Sequence, residues 1–186
     1  AKEAYPSIVA SGKNACILHY TKNNSTLKNG QLLLTDAAAE YKNYASDITR
    51  TIPINGKFTK PQKIIYEIVL DAQKKAIKKC MVGNYWSDIH REAVKTLTKG
   101  LINIGLIKGK LTDAINKQKY ERFYMHSTGH WLGLDVHDPC EYSNGKKALK
   151  LKAGMVFTVE PGIYIKAKKA IPSIFHNIGI RIEDDI

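Results

Sequence analysis

Hydrophobic periodicity changes twice along this chain, and that restricts the folds open to it. Up to residue 54 the apolar residues run in short strand-like groups. These are Ala15 to Tyr20, Gln31 to Leu34 after the turn-forming Asn29-Gly30, and Tyr44 to Ile54, stopped by Pro53 and Asn55-Gly56. The period then lengthens. Thr59 is a candidate N-cap with Pro61 in the first turn, and Ile64, Ile65, Ile68, Val69, Ala72 and Ala76 share one helical face. A second helix is predicted from Ser87 to about Ile104, with Ile89, Ala93, Val94 and Leu97 inward and Gly105 as its stop. A short third helix falls within Lys110 to Tyr120. Strands return at Leu132 to His137, Met155 to Glu160 and Ile178 to Asp184. Strands, two long helices, then strands predicts an α+β fold, its helices covering one face of a largely antiparallel sheet.

Composition narrows the class. The 186 residues suit one domain and bury enough surface to fold without a disulfide or metal staple. With 44% hydrophobic and 25% charged residues, the chain is neither disordered nor fibrous. No apolar run reaches the roughly 20 residues of a membrane span. Lysine and arginine total 29 against 17 acidic residues, a net charge of +12. The lysines are spread along the chain rather than interleaved with aromatics, which favours a solvated surface over a nucleic-acid face. Cys16, Cys80 and Cys140 are odd in number and form no CxxC pair, as expected in a reducing compartment such as the cytoplasm. No leader pattern opens the chain. Ala1 and Ile186 read as internal positions of a longer polypeptide.

The polar groups on the strands need a common explanation. Asp36 and Asp47 flank a segment that can turn back. If they face one another, the turn centres on Tyr41 and Lys42, and the two carboxylates repel unless a cation lies between them or one is protonated. Glu160 ends the apolar run Val156 to Val159, directly before Pro161-Gly162. In Ile180-Arg181-Ile182-Glu183 the isoleucines share one face and Arg181 and Glu183 the other. Three of the six histidines fall between Met125 and Asp138, beside Gly129 and Gly133. His126 and His130 lack the glutamate of HExxH, and there is no GxSxG elbow. Cys140 near His137 is read as structural rather than as a thiol–base pair. Four carboxylates with a histidine make an oxygen-rich set suited to Mn²⁺, Mg²⁺, Fe²⁺ or Co²⁺. Their −4 charge matches two divalent ions, and such a pair activates water for amide or ester hydrolysis.

The segments Ile17-Leu18-His19-Tyr20, Thr35-Asp36, Ser46-Asp47-Ile48-Thr49-Arg50-Thr51, His130 to Asp138, Val159-Glu160-Pro161-Gly162-Ile163-Tyr164 and Gly179 to Asp185, in this order, resemble the pita-bread metallopeptidases. The nearest group among them is the Xaa-Pro aminopeptidases. The resemblance spans nearly the whole chain. It departs at Ala37-Ala38-Ala39, where glycine is usual soon after the first aspartate, and at Asn43-Tyr44, where Gly-Tyr is usual. It implies a curved, mostly antiparallel sheet covered by helices, here a catalytic domain cut at both ends and lacking a separate N-terminal domain.

By the same resemblance Asp36, Asp47, His130, Glu160 and Glu183 are metal ligands. Asp47 and Glu183 bridge two ions, most often Mn²⁺, with Co²⁺, Fe²⁺, Zn²⁺ or Mg²⁺ as alternatives. His19, His126 and His137 contact substrate, His126 and His137 also serving the transition state. Arg181 lies at the substrate site and orients the carboxylates. The implied reaction releases the first residue of a peptide whose second residue is proline. A metal-bridging hydroxide is the nucleophile, and Glu160 relays its proton to the leaving nitrogen. The implied partners are that peptide and further copies of the full-length chain, with no membrane or nucleic acid. Prolidase-type dipeptide cleavage and a non-catalytic basic module binding RNA or the ribosome are the alternatives. Retention of all five ligands weighs against the second.

Overall fold

The computed structural model describes residues 1–145 and 147–186. The strands are β1 (Lys2–Glu3), β2 (Ile8–Ser11), β3 (Leu32–Asp36), β4 (Ala39–Tyr41), β5 (Tyr44–Ala45) and β6 (Thr49–Pro53). The helices α1 (Lys60–Ile77), α2 (Trp86–Asn103) and α3 (Leu111–Asn116) follow. Then come β7 (Ser143–Asn144), β8 (Lys147–Ala148), β9 (Thr158–Val159), β10 (Gly162–Ile165), β11 (Ile178–Arg181) and β12 (Asp184–Asp185). The α+β expectation holds, and every strand pair is antiparallel.

Both long helices stand where their period places them. The Thr59 hydroxyl accepts from the Gln62 backbone, and the Gln62 side chain accepts from Thr59 N–H at 2.9 Å, a closed capping box. The second helix ends at Gly105, whose φ of +77° only glycine adopts without strain. Ile65, Val69 and Ala72 of α1 and Val94, Leu97 and Leu101 of α2 pack against Ile163, Ile165, Ile178 and Ile180 of β10 and β11. Each fully buried aliphatic side chain contributes about 1.5–3 kcal/mol. A second cluster joins Ile89 and Ala93 of α2 to Trp131, Phe157 and Val159. It backs the segments that carry His130 and Glu160.

The strand expectations need correction at three places. Ala15 to Tyr20 is not a strand: a 3-10 turn occupies Gly12–Cys16, and the edge strand is the preceding Ile8–Ser11. Leu132 to His137 is not a strand either. Of this stretch only Leu132 pairs with the Glu160 segment, its N–H donating to Val156 O at 3.2 Å; the chain then loops, with Asp138 N–H returning to Trp131 O at 3.2 Å. The opposition of Asp36 and Asp47 is wrong by two residues. Asp36 pairs with Thr49, and the tip of the hairpin is Lys42-Asn43, both at positive φ. A two-residue turn needs that backbone conformation, and Asn43 tolerates it better than Tyr41 would. A slip of two keeps the side-chain face, so Asp47 still points to the same side as Asp36.

Threonine hydroxyls join the two halves of the sheet. The β9–β12 and β10–β11 pairs continue one register, broken where Glu160 and Glu183 stand opposite each other. At that break Glu183 N–H bonds to Thr49 O at 3.1 Å. The Thr51 hydroxyl donates to Arg181 O at 3.0 Å and accepts from Arg181 N–H at 3.2 Å. Thr51 is buried. Thr51→Val keeps its shape but strands two backbone groups, and the expected loss in chemical denaturation is about 1–3 kcal/mol.

Candidate active site

The break in the β10–β11 ribbon, the ends of β3 and β6, and the His130 segment close around one cleft of about 520 Å³. Its walls include Asp36, Asp47, His130, Glu160, Glu183 and Arg181, with His19, His126 and His137 also on the lining. Every proposed metal ligand and substrate-contacting residue of the sequence therefore lines the same cavity. Asp47, His130 and Glu183 each bring one donor atom to within 4.8 Å of the others. Glu160 approaches the group through His130, Nε2 to Oε1 at 3.6 Å.

His130 is aimed by its neighbours. Its Nδ1 lies 3.0 Å from Trp131 O, and a carbonyl can only accept, so Nδ1 carries the proton. The lone pair on Nε2 then faces Asp47 Oδ2 at 3.2 Å. The segment is held by Thr158 N–H to His130 O at 3.0 Å and Glu160 N–H to Thr128 O at 2.7 Å. Such close approach depends on Gly129, where an added Cβ would lie 1.9 Å from Thr158 O. Gly129→Ala is expected to cost about 3 kcal/mol and to displace His130. A fall in thermal midpoint of about 6–12 °C would show it.

Charge in the cleft is unbalanced. Burial, then Asp47 and Asp36, push the Glu160 carboxyl up to about 7 against the pull of His130 and Arg181. Burial, then Glu160 and Asp47, hold Glu183 well above the usual carboxylate range. Asp36 is raised by burial despite Arg181. Arg181 is 4% exposed, yet its guanidinium stays firmly protonated: burial opposes the charge, and Tyr164, Asp36 and Glu183 overcome that. Its Nη2 pairs with Asp36 Oδ2, its Nε bonds Thr49 Oγ1 at 3.0 Å, and its Nη1 bonds the Tyr164 hydroxyl at 3.2 Å. Arg181 alone leaves the carboxylates of Asp36, Asp47, Glu160 and Glu183 under-compensated, and even a charged His130 would not balance all four. A closely spaced oxygen-rich set with one lone-pair nitrogen fits divalent cations, which supply the missing charge and take the facing lone pairs.

The histidines differ in state. Burial pushes His126 down to about 4, and its Nε2 lies 2.8 Å from the Tyr164 hydroxyl. The His137 ring stands edge-on to His130, centroids 4.3 Å apart, and burial followed by the charge of His130 lowers it. Cys140 is exposed and its thiol faces Asp138, away from any base role with His137.

Three further side chains partner the residues of the cleft. The Tyr5 hydroxyl touches Asp36 Oδ1 at 2.5 Å and Asp47 Oδ1 at 2.6 Å. Tyr5 lies 31 residues before Asp36 in a short irregular segment, so nothing local marks it. The Thr49 hydroxyl bonds Glu183 Oε2 at 2.6 Å. Period-two spacing from Asp47 puts Thr49 on the ligand face, a signal that was legible. Tyr164, four residues after Glu160, links His126 to Arg181.

The family model of metallopeptidase family M24 matches residues 1–186. The chain is 51% identical over 183 residues to the Xaa-Pro aminopeptidase of Haemophilus influenzae, covering 98% of this chain and 42% of that protein. It superposes on the Pseudomonas aeruginosa aminopeptidase PepP with a TM-score of 0.97 and 48% identity, over 99% of this chain and 42% of that one. Zinc-substituted Escherichia coli aminopeptidase P in complex with product aligns at a TM-score of 0.95 and 44% identity, with the same coverage of 99% and 42%. The chain thus spans about two-fifths of the length of the relatives it matches. The superpositions bear out the pita-bread expectation, and with the match of the family model along the whole chain they show that it belongs to metallopeptidase family M24, a family of metal-dependent hydrolases.

Proposed function

We propose that this chain carries the catalytic centre of a dinuclear-metal aminopeptidase that releases the first residue from peptides with proline second. The observation that carries this reading is the convergence of Asp36, Asp47, His130, Glu160 and Glu183 on one cleft, where the protein's own cations do not balance them. The proline preference rests on the names of the relatives, Xaa-Pro aminopeptidases at up to 51% identity.

Those five residues are the proposed ligands, and Mn²⁺ is the first ion to try. Two divalent ions bound there would supply a hydroxide nucleophile at neutral pH and polarise the scissile carbonyl. The chain does the rest. Trp131 O holds the His130 tautomer that leaves Nε2 free to coordinate. Arg181 and Tyr5 fix Asp36 in one orientation. Glu160 takes up a proton and returns it to the departing proline nitrogen. His19, His126 and His137 line the cleft and contact the peptide there. The amide before proline has no N–H, so the pocket around it needs no acceptor.

The test is mass-spectrometric cleavage of an Xaa-Pro-Xaa tripeptide and an Xaa-Pro dipeptide, with Mn²⁺ and with chelator. Chelator-sensitive release of the first residue from the tripeptide is expected. Turnover of the dipeptide alone would replace this reading with a prolidase.

A further inference from the structure

A side chamber of about 220 Å³ adjoins the cleft. Trp86, Ser127 and Gly129 line both spaces, and Ser87, His90 and Thr158 complete the chamber's polar wall. At about 30 Å³ per water it holds several waters or one side chain. None of its lining residues is acidic, lysine or arginine. Its aromatic wall is fixed: Trp86 packs on Trp131 with centroids 4.6 Å apart and on Phe157 at 5.1 Å.

The proton arrangement of this wall follows from its hydrogen bonds. Tyr124 OH lies 2.7 Å from Thr128 Oγ1, which lies 2.8 Å from His90 Nδ1. Tyr124 is fully buried and its hydroxyl has no other partner among the described residues. One arrangement pairs both buried hydroxyl protons: Tyr124 donates to Thr128, and Thr128 donates to His90 Nδ1. The imidazole is then neutral with its proton on Nε2. That atom bonds to nothing among the described residues, and it is not sealed from solvent. Burial, which lowers the histidine, agrees with a neutral ring.

We propose that this chamber is a substrate subsite selecting a carboxamide side chain, as in glutamine, on the residue that follows the proline. A carboxamide oxygen accepts from His90 Nε2–H, and its flat face lies against Trp86. An ammonium or guanidinium meets no carboxylate there, and a carboxylate meets no cation. The assignment to the leaving side rests on the proposed function: Glu160, two residues beyond Thr158 of the chamber wall, serves the leaving nitrogen.

Isothermal calorimetry on the Mn²⁺-loaded protein with the dipeptides Pro-Gln and Pro-Leu tests this. Pro-Gln is expected to bind about tenfold tighter, and His90→Phe is expected to bring that ratio close to one. Equal affinities in the parent, no binding of either dipeptide, or a preference that survives His90→Phe would overturn the subsite. Nitrogen-15 NMR of the parent guards against a misfolded variant. The His90 Nε2 resonance should be of the protonated type and shift with Pro-Gln but not with Pro-Leu, and a proton on Nδ1 would refute the arrangement. Cleavage of Xaa-Pro-Gln and Xaa-Pro-Leu separates the two proposals. Binding preference without cleavage of either peptide removes the aminopeptidase reading alone, and cleavage of both without preference removes the subsite alone.

Discussion

Glutamine in place of Glu160 should lower turnover of an Xaa-Pro tripeptide by about 10³-fold, the middle of the range for losing a positioned general acid–base group. The substitution keeps size and hydrogen bonding but removes the charge and the ability to carry a proton. The measurement is kcat/KM at saturating Mn²⁺, with bound metal determined on the same sample. A variant that holds metal and retains a tenth of parental turnover would rule out the proton-transfer role.

The same substitution has the opposite effect on the stability of the chelated protein. Glu160 titrates from about 7 in the fold against 4.5 ordinarily. Between those values the folded chain keeps a proton that the unfolded chain has released, so stability falls as pH rises through this window. The loss is about 3 kcal/mol when complete. His126 acts in the reverse sense. Its folded value of about 4 lies below the ordinary 6.5, so its contribution is present above 6.5 and is lost as pH falls toward 4. The two nearly cancel in the parent, and the pair of proteins separates them. Chelated Glu160→Gln should match the parent near pH 4.5 and exceed it by about 3 kcal/mol at pH 8. Mn²⁺ should erase that advantage by stabilising the parent. A parent equal to the variant at pH 8 would mean that Glu160 is not held near neutrality.

The parts of the molecule legible in its sequence are those that local rules decide. The helices follow from local rules: a capping residue, a 3.6-residue period and a terminal glycine. The acidic residues were legible because each breaks the strand pattern around it. Register was harder. Asp36 and Asp47 suggested their own opposition, but the hairpin obeys the backbone needs of Lys42-Asn43, and the carboxylates settle diagonally. The loop after Leu132 reads as a strand because its apolar residues alternate, yet Leu134 is 70% exposed. Alternation marks a strand only where a partner exists. Tyr5 is invisible to any local rule, because its role arises from a contact across 31 residues of chain.

Arg181→Met tests the other half of the charge balance. Methionine fills much the same volume but removes the one buried guanidinium among Asp36, Glu183 and Tyr164. Breaking a buried pair by deleting one partner costs about 3–5 kcal/mol, because the surviving carboxylate is left buried and unpaired. For a chain of this size that lowers the thermal midpoint by about 10 °C in chelator. Aliphatic packing is preserved, so a smaller loss would mean that Asp36 finds water or a proton instead. Metal should recover only part of the loss. Divalent ions can balance the charge of Asp36, but they leave the Thr49 and Tyr164 hydroxyls without their guanidinium donor. Full recovery in Mn²⁺ would assign Arg181 to charge alone. Partial recovery, with a lower kcat and little change in KM, would mark it as the residue that sets the angle of the Asp36 carboxylate.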